Sequence, residues 1–84
     1  MTNELKIKAL DCLHNAIEQS IFDFQQYEKT ALTNENYEFK ATLERVWMDS
    51  EERVLAMRRM YNYMFNEFAP RTRSEIEQLI ESLA

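Results

Sequence analysis

The chain has 84 residues and a net charge of −5, from 15 acidic and 10 basic side chains. That is one domain, residues 1–84, near the lower end of what a single hydrophobic core stabilises. Glycine is absent and proline occurs once, which excludes turn-rich β folds and every glycine-dependent phosphate loop or serine-nucleophile elbow.

Residues 1–32 carry five acids and three bases, residues 33–69 seven and five, and residues 70–84 three and two. The acidity is therefore spread along the chain, which disfavours contact with phosphate backbones without forming an acidic tail or a nucleic-acid mimic. No apolar run approaches the ~20 residues of a membrane span, and the first residues do not resemble a signal peptide. Cys12 is the lone cysteine and has no partner for an internal disulfide. The expected compartment is the cytoplasm, either the cell's own or, for a phage-like small protein, that of a host.

The first predicted helix covers about 3–31. Leu10, Leu13, Ile17, Phe24, Tyr27 and Ala31 fit one heptad frame, and Ser20 fills the remaining inward slot. Thr33 or Asn34 is the expected cap of a second helix, with Glu35 at the positive end of its dipole. So short a connection makes the two helices antiparallel neighbours, an αα-hairpin with a coiled-coil-like seam.

The second helix is predicted over about 34–68. Leu43, Trp47, Ser50, Val54, Met57, Tyr61, Met64 and Phe68 recur in steps of four and three. Asp49 and Glu52 have capping-box spacing, but the heptad phase runs through them unbroken, so one continuous helix is expected. A turn centred between Thr33 and Asn34 pairs Phe24 with Leu43, Ser20 with Trp47, Ile17 with Ser50, Leu13 with Val54 and Leu10 with Met57. Each serine then faces a large residue, the complementarity that close packing needs. Pro70 is the expected stop, since the residue before a proline avoids the α region. Ser74 and Glu77 then have the spacing of a capping box for a third helix over about 74–83. Ile76, Leu79, Ile80 and Leu83 form its apolar face, and a helix this short has to dock on something.

Candidate chemistry is sparse. His14 is the only histidine and lies two residues from Cys12, so on a helix the two diverge by about 200°; no metal site follows. Helical di-iron sites need inward Glu-x-x-His pairs, and none occurs. The helical nucleotide pyrophosphatases hold magnesium on inward carboxylates, whereas Glu35 and Glu38 form a solvated pair and Glu51 and Glu52 fall outside the seam. The expected reading is a non-enzyme with no cofactor, metal or small-molecule substrate.

Arg58, Arg59, Arg71 and Arg73 form a basic cluster. Its structural reading is pairing of Arg58 and Arg59 with Glu51, Glu52 or Glu67. Its functional alternative is a small nucleic-acid-associated regulator. Helix-turn-helix recognition is opposed by Glu75, Glu77 and Glu81 on the third helix. More informative is the apolar surplus beyond the seam. Phe22, Met48, Leu55, Met60, Tyr63, Phe65 and Phe68 are the candidate partner-binding residues, of types over-used at protein contacts. Together these readings predict an all-α protein, a helical hairpin plus a short C-terminal helix, dimerising into a four-helix-type bundle. The expected function is that of a small acidic regulator: an adaptor, an inhibitor of a larger protein machine, or a chaperone. Its expected partners are itself and a larger protein.

Overall fold

The computed structural model describes residues 2–84. It is all-helical: α1 spans Thr2–Thr33, α2 Tyr37–Phe65 and α3 Arg73–Leu83. The long helices α1 and α2 pack as a hairpin, and α3 folds back onto α1. The molecule is a rod of 51 × 21 × 16 Å, about the length of a helix of α1's size at 1.5 Å per residue.

The caps explain where the helices stop, and they correct three expectations. The hairpin turn lies at Asn34–Asn36, later than expected. Asn34 Oδ1 accepts from Asn36 N at 2.7 Å, and Asn36 caps α2 by accepting from Phe39 N at 3.1 Å. Helix α2 runs unbroken through Asp49–Glu52 but ends at Phe65, well before Pro70. Asn66 adopts the left-handed conformation (φ 52°, ψ 41°). Without glycine, asparagine is the residue that enters this region at least cost. The cap of α3 is Thr72 instead of Ser74: its hydroxyl accepts from Glu75 N at 3.1 Å, while Glu75 Oε2 accepts from Arg71 N at 3.1 Å. This is a capping box whose carboxylate reaches one residue further back than usual.

The core is made by Leu10, Leu13, Ala16, Val54, Tyr61 and Ile76. Ile17, Met57, Phe65, Leu79, Ile80 and Leu83 pack partly buried around it. The two seams are thus buried over the half of the hairpin that α3 covers. Towards the turn the seam opens: Phe24 and Ala31 are exposed, and Leu32, Tyr37 and Phe39 stand in solvent. Beyond Tyr61 it opens again, with Met64 exposed and Phe68 outside the helix altogether.

The register of the hairpin differs by about one helical turn from the expected pairing. Ser20 Oγ donates to Glu51 Oε1 at 2.9 Å, so its cross-helix partner is Glu51 and not Trp47. Trp47 instead lies against Phe24 (ring centroids 4.8 Å apart) and stacks on Tyr27 (5.7 Å, 15° between planes). Ser50 donates to the Asp23 carboxylate, which also accepts from Gln19 Nε2 at 3.0 Å. The serines are therefore hydrogen-bond donors to carboxylates across the interface, more than space left for a large residue.

Helix α3 closes the other end. Ile76 is completely buried, and His14 on α1 bridges Glu77 Oε1 (3.0 Å) and Glu18 Oε1 (3.6 Å). Glu18 also lies 3.9 Å from Arg73. These polar contacts border the meeting of α1 and α3, while the apolar face supplies most of the docking energy of α3.

Two stability measurements check this arrangement. Ile76→Ala should lower unfolding stability by about 2–5 kcal/mol in urea, the cost of a large-to-small change in a closed core; a neutral result would mean that α3 is not docked. A double-mutant cycle of Ser20→Ala with Glu51→Ala should give a coupling of about 0.5–1.5 kcal/mol. Additive effects would place the two residues out of contact and restore the earlier register.

Candidate functional site

The seven candidate partner-binding residues do not form one surface. At 100° per residue, Met48 and Leu55 share an outward stripe of α2. Met60 lies about 140° around the helix from Leu55, grouped with Tyr63 and Met64 at i, i+3 and i+4. Phe22 is exposed on α1, about 180° from that helix's own seam. Phe65 turns inward: it is partly buried, tilts against Tyr61 at 4.8 Å, and is covered by the Lys6 ammonium at 5.5 Å.

The remaining six are exposed, and two of them almost completely, Tyr63 at 91% and Phe68 at 94%. Neither ring belongs to the buried core. Phe68 belongs to the segment between α2 and α3. There Ala69 N donates to Asn62 Oδ1 at 2.6 Å and holds the chain against the end of α2.

The arginine cluster is also redistributed. Arg58 Nη2 donates to the Arg71 carbonyl at 2.6 Å, and Arg58 Nε is buried without a partner among the described residues. The expected ion pairs of Arg58 and Arg59 with Glu51, Glu52 or Glu67 do not form. Glu51 takes bonds from Ser20 and from Trp47 Nε1 (3.2 Å), and Glu67 pairs with Lys6 at 2.7 Å. Arg73 stands apart beside Glu18. Arg58, Arg59 and Arg71 thus line one open groove of about 590 Å³ with Leu55, Asn62 and Phe68. Glu51 and Glu52 adjoin it on the N-terminal side, where they line a neighbouring depression with Leu55 and Arg58. The basic strip is thus bounded by carboxylates on its N-terminal side.

Among the described residues no three or more His, Cys, Asp or Glu side chains are arranged to hold a metal ion, and no helix is long and apolar enough to cross a membrane. The perturbed titrations belong to a structural clasp. Burial first, and then the hydrogen bond to the Glu67 carboxylate (2.8 Å), push the Tyr61 hydroxyl above its ordinary range. The Lys6 ammonium and then the Tyr61 hydroxyl hold Glu67 below the usual carboxylate range. Lys6, Tyr61, Phe65 and Glu67 so tie the start of α1 to the end of α2. The clasp was not predicted from the sequence, because Lys6 and Glu67 meet only once the hairpin is in register.

No protein-family model, curated protein or solved structure matches the chain.

The clasp makes a pH prediction. A carboxyl whose folded value is depressed adds stability above its unfolded value, and that stability is lost as pH falls through the folded value. Glu67 should therefore contribute at neutral pH and cease to contribute in acid below the ordinary carboxylate range. Glu67→Gln should lower the neutral Tm slightly and flatten the acid limb of Tm against pH. An acid limb identical to that of the parent chain would show that Lys6 and Tyr61 do not hold this carboxylate.

Proposed function

We propose that the chain is a non-enzymatic protein-binding module, a small acidic regulator that occludes or bridges a larger protein. The observation that carries this reading is the bare aromatic and thioether surface at the end of α2, where Met60 and Met64 flank Tyr63 at helical spacing. None of these groups belongs to the buried core, which includes Val54, Tyr61 and Ile76. Their area is a strip suited to a groove on a partner, the helix-in-groove mode of recognition. The net charge of −5 over the whole chain would favour association with a basic partner.

The test is affinity purification of the full chain from its native cell, with mass spectrometry of what accompanies it. A specific larger protein should co-purify in near-stoichiometric amount. It should fall at least tenfold with Met60→Glu/Tyr63→Glu, two exposed positions whose change leaves Tm within a few degrees of the parent. Recovery of the same proteins by the variant would reject this surface as the binding site.

A further inference from the structure

The other outward stripe of α2 carries a pattern that the fold uses only in part: Asn62 holds Ala69, Glu51 accepts from Ser20 and Trp47, and Arg58 donates to the Arg71 carbonyl, while Glu52 and Arg59 are left over. Met48, Leu55 and Asn62 recur every seven residues, with Glu51 and Glu52 on the two flanks before Leu55 and Arg58 and Arg59 on the same flanks after it. Met48 and Leu55 are about half exposed. The stripe is therefore a second heptad seam, outside the hairpin, with acids on one side of its central leucine and arginines on the other.

Neither Glu52 nor Arg59 makes an ion pair among the described residues. The sequence shows why. Three and four residues from Glu52 stand Met48, Asp49, Leu55 and Ala56, and from Arg59 stand Leu55, Ala56, Asn62 and Tyr63. Neither charge has an opposite one at a spacing that closes within a helix. The two are seven residues apart, about 10.5 Å along the axis, on one face yet beyond ion-pair distance.

We infer that this stripe docks on the same stripe of a second copy of the chain, antiparallel, about a two-fold axis passing near Leu55. That operation sets Leu55 against Leu55, Glu52 of each copy beside Arg59 of the other, and Met48 of each beside Asn62 of the other. Met48 then enters the groove lined by Leu55, Arg59, Asn62 and Phe68, so that each copy offers one knob and one hole. The contact is isologous and closed, as a stable dimer requires. A parallel pairing would set acids against acids and arginines against arginines, and it is disfavoured by the same charges. The inference gives the protein-binding reading above a first partner, on a stripe separate from Met60 and Tyr63.

Charge reversal in the full-length chain, read by light-scattering chromatography at micromolar concentration, tests the geometry. The parent should run at twice the chain mass. Glu52→Arg and Arg59→Glu should each weaken the dimer at least about tenfold, since each exchanges two attractive contacts for two repulsive ones. The double variant Glu52→Arg/Arg59→Glu should return to within about threefold of the parent, because the pairs re-form with signs exchanged. Leu55→Glu should give monomer. Both charged positions are exposed, and circular dichroism verifies that every variant keeps its helix content. A monomeric parent overturns the inference, as does a double variant that stays as weak as the single ones. Met60→Glu alone, which adds no carboxylate three or four residues from Arg59, should weaken capture of the larger partner and remain dimeric, so loss of the larger partner and loss of self-association are separable results.

Discussion

The register of the hairpin depends on a small polar layer buried between α1 and α2. Apolar contact is non-directional, and two heptad seams can slide by a turn while still burying leucine against leucine. Ser20 and Asp23 on α1, opposite Glu51 and Ser50 on α2, remove that freedom. Asp23 is 8% exposed and Ser20 5%, so each needs its partner, and a slip by one turn would strand a carboxylate in an apolar seam at a cost of several kcal/mol. Buried polar groups are best attested in this registry role. The position of Trp47 over Phe24 and Tyr27, and of Lys6 beside Glu67 and Phe65, follows from the same setting.

The hairpin alone would still be a poor domain. Its seam is well covered only where α3 returns to α1, and the largest fully buried side chains include Ile76 from that short helix. The order of events in the chain is therefore economical. Asn66 turns the backbone out of α2, Asn62 holds Ala69, and the Thr72–Glu75 box starts α3 at the point where its apolar face meets Leu10 and Leu13. In a chain without glycine, asparagine and threonine side chains perform every reversal of direction.

The helices and their apolar faces were legible in the sequence because a 3.6-residue period is a local signal. Leu10, Leu13, Val54, Tyr61 and Ile76 all reached the core from heptad frames read along the chain. The pairing between helices was not legible. It depended on a turn displaced by two residues through Asn36, and on serines that donate to carboxylates, whereas the heptad frames present them only as small residues opposite large ones. Pro70 gave a stop signal that Asn66 had already executed, and Ser74 resembled a cap whose work Thr72 does. In the candidate site, exposure of Met48, Leu55, Met60, Tyr63 and Phe68 agreed with their surplus apolar character. Their division among different faces required the seam to be fixed first. Phe65 differs from them because Lys6, nearly sixty residues earlier, folds over its ring.

What distinguishes the Leu55 stripe from an ordinary solvated helix face is the order of its charges. A helix that stabilises itself places Glu four residues before Lys or Arg, so that each pair closes across one turn. On this stripe Glu52 has no base and Arg59 no acid at that distance, while both lie within two turns of one exposed leucine. Separated charges of this kind gain little from their own helix and gain from a neighbour running the other way. The leucine supplies area without direction, and the charges supply direction without much area. Neither would specify a partner alone: an isolated exposed leucine is common on protein surfaces, and exposed ion pairs are individually weak. Placed symmetrically about one point, they distinguish an antiparallel mate from a parallel one. The order of Glu51 and Glu52 before Leu55 and Arg58 and Arg59 after it would serve a contact between two chains better than one within a single helix.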